Sequence, residues 1–130
     1  MKHVLPALVL LSVISCGGSS PSAPSTFTQQ VAGTVGVFGT NEHAFSASRA
    51  GTLTVTLRWS TATDLDLYLT NAACQINNPN ACTILAAANG ATGTQEVITR
   101  TVTKGDAFKL VVDNNSETLS SPYTLDIAIQ

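Results

Sequence analysis

Charge is the first thing that this 130-residue sequence lacks. Lys, Arg, Asp and Glu make up 11% of it, whereas an average domain contains roughly a quarter. Aromatic residues are also sparse at 5%, and the formal net charge is −2. A chain without a basic excess has little with which to attract phosphate, so nucleic acid is excluded as a partner. The length suits one globular domain.

Long apolar runs are absent beyond the first 15 residues. Lys2 precedes an apolar stretch at residues 4–14. At about 1.5 Å per residue, a helix of this length covers only about half of a bilayer core of roughly 30 Å. Residues 1–15 are therefore predicted to be an export signal rather than a membrane span.

The end of this stretch, Val13-Ile14-Ser15-Cys16, resembles the bacterial lipobox. The resemblance implies that Cys16 is lipidated and becomes the first residue of a mature, membrane-anchored lipoprotein. The alternative, ordinary cleavage with Cys16 as a bystander, would leave an odd thiol in an oxidising compartment. Gly17 replaces the aspartate that retains many lipoproteins at the inner membrane, so we expect outer-membrane delivery in a host with two membranes.

A tether is expected to follow the lipidated cysteine. Residues 17–25 are rich in Gly, Ser and Pro and show no apolar periodicity, which is typical of a flexible linker. We assign residues 16–30 to the lipidated cysteine and its tether, and residues 31–130 to the folded domain.

Two cysteines remain once Cys16 is set aside. Cys74 and Cys82 form an even pair in an exported chain, which predicts a disulfide. No second cysteine pair or histidine cluster is present to complete a four-ligand zinc site. We expect the disulfide to be a structural staple around a short loop.

Alternation with a period of two dominates the rest of the sequence. In residues 51–59, Leu and Val alternate with Thr, so one face of the strand is apolar and the other is polar and faces solvent. Eight such segments, separated by Gly- and Asn-containing turns, predict an all-β antiparallel sandwich. Only the alanines of residues 84–88 would also suit a short helix. The predicted strands are 34–38, 43–47, 51–59, 64–69, 83–87, 95–102, 107–113 and 123–130.

The order of motifs resembles one bacterial family. D-L-D-L-Y at residues 64–68, then K-G-D at 104–106 followed by F-K-L-V-V, and finally Y-T-L at 123–125, resemble the pre-peptidase C-terminal domain. This family includes the collagen-binding domains of clostridial collagenases. The resemblance implies a jelly-roll sandwich over about residues 31–130. With no protease domain preceding it, we expect a free-standing envelope module.

The resemblance also implies a calcium site. Asp64 and Asp66 lie two apart on a predicted strand, so their side chains project from one face about 6 to 7 Å apart. Relatives also use an acidic N-terminal linker, for which Asn41 and Glu42 are the counterpart here. The alternative is a solvated outer face with a cation nearby. Apart from calcium, no cofactor is expected.

Tyr68 is the candidate ligand contact. It shares the outward face with Asp64 and Asp66, whereas Trp59 and Tyr123 are expected to point inward. The alternative is that Tyr68 packs on a neighbouring strand or loop.

Catalysis is not expected. His43 is the single histidine after the signal segment and is expected in an exposed turn, and no hydrolase, zincin or P-loop motif occurs. The sequence predicts a non-catalytic envelope lipoprotein that binds polysaccharide or extracellular protein. The alternatives are a structural or assembly subunit of a surface complex, or a calcium-stabilised accessory domain to a secreted peptidase.

Overall fold

The computed structural model describes residues 25–90 and 93–130. The predicted signal peptide, Cys16 and most of the predicted tether lie outside these residues. No helix in the described part is long and apolar enough to cross a membrane. The elements are β1 Phe27–Val35, β2 Thr40–Ser46, β3 Gly51–Trp59, β4 Leu65–Asn71, a 3-10 turn Pro79–Ala81, β5 Ile84–Ala88, β6 Gln95–Val102, β7 Ala107–Asn114 and β8 Ser121–Ile129.

These strands form two four-stranded antiparallel sheets that pack face to face. The strand orders are β1-β8-β3-β6 and β2-β7-β4-β5. Chain neighbours mostly lie in opposite sheets, which is the arrangement of a jelly roll. The prediction of an all-β, antiparallel, jelly-roll-like sandwich is confirmed.

The core lies between the sheets and is built by the alternation of apolar and polar residues. Leu53, Val55 and Leu57 of β3 are fully buried, whereas the threonines between them line the outer face. Burying one such side chain contributes roughly 1.5 to 3 kcal/mol. Trp59 and Tyr123 are also buried, as predicted.

Strand β1 differs from the prediction. It begins at Phe27, so residues 27–30, placed in the tether on sequence grounds, belong to the folded domain. Phe27 pairs with Ile129, and its ring centroid lies 6.2 Å from that of Phe45. The alternation was obscured because the inward positions 29 and 33 hold Gln and Gly. Residues 84–88 form a strand, β5, and not a helix.

The antiparallel strands place the connecting loops at two ends of the sandwich. The end at which the chain enters β1 and leaves β8 is called the terminal pole, and the opposite end the distal pole. The terminal pole holds loops 47–50, 72–83 and 103–106; the distal pole holds loops 36–39, 60–64 and 115–120 and the described part of loop 89–94.

Candidate functional site

Two of the predicted site residues, Asp66 and Tyr68, lie on β4, which is central in its sheet. Leu65, Leu67 and Leu69 face the core and are fully buried, so Asp66 and Tyr68 point outward as predicted. The outer face is not fully solvated, however: Asp66 is only 7% exposed. Sequence periodicity gave the direction of this side chain and missed its burial.

Asp66 is covered by two neighbours that hydrogen-bond to it. The Tyr68 hydroxyl donates to Asp66 Oδ2 at 3.0 Å, and Asn115 Nδ2 donates to the same oxygen at 2.9 Å. Burial raises the pKa of Tyr68 to about 12, and the hydrogen bond to Asp66 and the nearby carboxylates of Asp113 and Asp64 add to the rise. The Tyr68 hydroxyl therefore stays protonated and remains a donor at physiological pH.

Three carboxylates surround Tyr68. Asp66 pairs in register with Asp113 of β7, and Asp64 lies just before β4. The ion pairs found within residues 25–90 and 93–130 join Arg58 to Asp126 and Lys109 to Glu42, so these three aspartates have no basic partner within salt-bridge distance there. This face of the sheet is acidic at its distal end.

The predicted calcium ligands are not brought together. Asn41 and Glu42 are consecutive on β2 and therefore face opposite sides of the sheet. Asn41 Nδ2 donates to the Thr34 carbonyl and to the Tyr123 hydroxyl, both at 3.0 Å. Glu42 pairs instead with Lys109 Nζ at 2.8 Å. Among the described residues, no group of three or more His, Cys, Asp or Glu side chains is placed to hold a metal ion.

His43 lies in strand β2 and not in an exposed turn. Its Nε2 atom is 2.7 Å from the Tyr123 hydroxyl, and the two rings meet edge to face. Desolvation by burial lowers the pKa of His43 below its usual value of 6.5. The histidine thus joins the two sheets through a core tyrosine.

The disulfide predicted between Cys74 and Cys82 is present. It closes the loop at residues 72–83, which is fixed at two further points. Glu42 Oε1 accepts from the Ile76 amide at 2.8 Å, and Asn71 Oδ1 accepts from the Thr83 amide at 2.8 Å. Three independent restraints make this loop a firm wall above the outer face of the sheet.

An apolar groove of about 220 Å³ lies between that wall and Tyr68. Ile76 and Ile84 are 54% and 60% exposed, an unusual placement for large aliphatic residues. We refer to this feature as the Tyr68 groove. A signal for it was present in the sequence, because Ile76 is the one large apolar residue between the two cysteines of a polar loop. The principal lining residues are Tyr68, Ile76, Ile84, Val111 and the Cys74–Cys82 disulfide.

The fold and the groove define a jelly-roll domain with a small preformed surface cleft. Its sequence matches no model of a known protein family and no curated protein. Solved structures do match. The pre-peptidase C-terminal domain of a collagenase from Bacillus anthracis is similar over 77% of this chain and 88% of that one, with a TM-score of 0.59 and 14% identity.

Two further structures are similar to the chain. The Yersinia pseudotuberculosis-derived mitogen matches over 82% of this chain and 88% of its own, with a TM-score of 0.59 and 18% identity. PliG of Aeromonas hydrophila, a periplasmic inhibitor of g-type lysozyme, matches over 85% of this chain and 93% of its own, with a TM-score of 0.56 and 14% identity. The TM-scores establish a shared fold. The disulfide and the periplasmic neighbour are compatible with an extracytoplasmic location.

Proposed function

We propose that the chain is a non-catalytic binding module of the bacterial envelope, anchored by lipid at Cys16, which holds an extracellular protein in the Tyr68 groove. The observation that carries this proposal is the groove itself. It is apolar and preformed, and its outer wall is fixed by a disulfide and by hydrogen bonds. A preformed surface binds without first losing entropy in ordering a loop.

The lining of the groove favours a protein ligand over a polysaccharide. At about 220 Å³ it is smaller than the roughly 300 to 1,000 Å³ of typical small-molecule pockets. Its walls are mainly aliphatic, and the hydroxyl of its single aromatic residue, Tyr68, is already engaged by Asp66. Such a cleft fits one or two apolar side chains of a peptide segment.

The arrangement of polar groups supports a role without catalysis. His43 contacts a tyrosine in the core and not a nucleophile. Asp66 lies on β4 and Asp64 directly precedes the same strand, so the two carboxylates do not flank a cleft from opposite sides as glycosidase carboxylates do. Two of the structural neighbours are a domain of a collagenase and an inhibitor of an enzyme.

Ile76→Ser and Ile84→Ser test the groove. Both side chains are more than half exposed, so each variant is expected to fold and to change stability by less than about 0.5 kcal/mol. Val97→Ser is the matched control, because Val97 is 43% exposed on β6 of the other sheet. Binding to immobilised collagen, isolated peptidoglycan and a glycan array is measured for each protein.

The proposal predicts that the unmodified protein binds the protein probe, collagen. Binding should fall at least tenfold in the two groove variants and stay unchanged in Val97→Ser. Groove-dependent binding to peptidoglycan or glycans would instead favour the polysaccharide alternative. If none of the probes binds and cross-linking in membranes captures a stoichiometric subunit, the structural or assembly alternative is favoured.

The anchor is tested separately by mass spectrometry of the full chain expressed in a bacterium. An acylated Cys16 at the mature N-terminus supports the lipoprotein assignment, and Cys16→Ser provides the unmodified reference. An unmodified Cys16 in the membrane fraction would contradict it.

A further inference from the structure

A second apolar cluster lies at the distal pole. Phe38, in the loop between β1 and β2, is 66% exposed. Val37 beside it and Leu119 in the loop between β7 and β8 are also exposed. Three large apolar side chains on two adjacent loops form a patch that folding alone does not account for.

The backbone of Phe38 is strained. Its φ angle is +46°, in the left-handed region that bulky residues with a Cβ atom rarely occupy. Glycines at positions 36 and 39 close the loop, since the Gly39 amide donates to the Gly36 carbonyl at 3.0 Å. A phenylalanine held in this conformation, with most of its ring in solvent, gains little from packing in return.

A hydrogen-bonded platform holds the strained loop in place. Asn114 is 1% exposed, and its Nδ2 atom donates to the carbonyls of Gly36 and Leu119, both at 2.8 Å. Its Oδ1 atom accepts from the Ser116 amide at 3.0 Å, and the Ser116 carbonyl accepts from the Phe38 amide at 3.1 Å. A strained residue that several surrounding hydrogen bonds hold in place is typical of functional sites.

Acidic residues share the distal pole with the patch. Glu117 follows Ser116 in the same loop, and Thr40, two residues after Phe38, donates to Asp113 at 2.5 Å. Asp64 precedes Leu65, which pairs with Asn114. Arg58 also lies toward this end, but it belongs to the sheet β1-β8-β3-β6 and is paired there with Asp126 at 3.4 Å. The other Lys and Arg residues of the described chain lie in the half nearer the terminal pole: Arg49, Arg100, Lys104 and Lys109.

We infer that the distal pole is a docking surface for a basic protein, with Phe38 inserted into an apolar pocket of that partner. Asp64, Asp113 and Glu117 would face lysines or arginines around the pocket. The position and charge of the patch disfavour a membrane, because it lies opposite the end where the chain enters the domain and an anionic bilayer repels it. Two copies that met patch to patch would bring the same acidic residues against each other, which disfavours a second copy as the partner.

Site-specific photo-cross-linking in the full chain tests this inference. A photoreactive phenylalanine analogue replaces Phe38 in bacterial cells, and the same analogue at the comparably exposed Val97 is the control. We expect an adduct with one protein at position 38 and none at 97. Its yield should fall at least tenfold with Glu117→Lys and fall further in cells washed in high salt.

Other outcomes overturn the inference. These are an adduct with a second copy of the chain, an adduct with lipid, equal adducts at positions 38 and 97, or an adduct that is insensitive to charge reversal. Ile76→Ser in the Tyr68 groove should leave the adduct unchanged, so failure here and failure of the groove proposal are distinguishable.

Phe38→Gly separates binding from folding. Glycine adopts the left-handed conformation without strain, so the melting temperature should stay the same or rise. With the photoreactive analogue placed at Leu119, this variant should reduce the protein adduct at least tenfold. A lowered melting temperature would show that Phe38 serves the fold and would overturn its role as an anchor.

Discussion

His43 Nε2 and the Tyr123 hydroxyl oxygen lie 2.7 Å apart and join the two sheets. Asn41 donates to the same hydroxyl oxygen at 3.0 Å. Desolvation lowers the pKa of His43 and so favours the neutral imidazole. In that form Nε2 can accept the hydroxyl hydrogen while the hydroxyl oxygen accepts from Asn41.

Stability is expected to fall as the pH drops below about 6.5. The unfolded chain binds a proton at His43 with the ordinary pKa of 6.5, whereas the folded chain binds it only at lower pH. The contribution is thus complete above 6.5 and is lost as the pH falls toward the folded-state pKa. Urea unfolding of the protein between pH 7.5 and 5.5 measures this contribution. His43→Gln keeps an acceptor without titrating and should flatten this dependence; an equal slope in both proteins would contradict the assignment.

Gly33→Ala should destabilise the domain by about 1 to 3 kcal/mol through overpacking. Gly33 pairs with Tyr123, and a Cβ atom at position 33 would lie 2.6 Å from the Tyr123 hydroxyl oxygen and 2.7 Å from Cζ. The ring would have to move, and its contact with His43 would be lost. Gly36→Ala is the matched control, since a Cβ atom there meets nothing within 4 Å. Thermal unfolding of the two variants should differ clearly; equal melting temperatures would show that the ring moves freely.

Removing the disulfide should weaken the groove more than the fold. In the loop-entropy model a ring of this size stabilises by about 2.5 kcal/mol. The disulfide joins two residues of one loop and does not link strands to each other. The Cys74→Ser and Cys82→Ser double variant should therefore remain a folded sandwich. Its melting temperature should drop, and its binding through the Tyr68 groove should fall more than that of Val97→Ser. Unchanged binding would show that hydrogen bonds from Glu42 and Asn71 suffice to hold the wall.

Calcium and magnesium at equal concentration are expected to change the melting temperature equally. Asp66 already accepts hydrogen bonds from Tyr68 and Asn115, and Asn41 and Glu42 are engaged elsewhere. Divalent ions should therefore act only by screening the aspartates. A rise specific to calcium, abolished by Asp66→Asn, would contradict this expectation and support the calcium site implied by the family resemblance.

The sequence predicted strands best where alternation is uninterrupted. Strand β3 matches its predicted bounds because Leu and Val alternate with Thr throughout. Strand β1 was mostly missed because Gln29 and Gly33 occupy inward positions and hide its period. The disulfide followed from cysteine parity alone.

The candidate sites depend on contacts that no local pattern contains. Asp66 is buried by Asn115, 49 residues away, and that contact depends on the register of β4 with β7. The position of His43 opposite Tyr123 likewise depends on how the sheets face each other. The left-handed backbone of Phe38 is imposed by hydrogen bonds from a second loop, so the flanking glycines were the only local hint.

The pairing of β1 with β8 has a mechanical consequence. The two strands are in register from Phe27 opposite Ile129 to Val35 opposite Ser121. If the chain is held at its N-terminus and a partner pulls on Leu119 in the loop before β8, the tension passes from β1 to β8 through the hydrogen bonds that pair them. The hydrogen bonds between the strands, which lie across that direction, are then sheared together and not opened one after another. Such a domain can be pulled by a bound partner without its first strand peeling away.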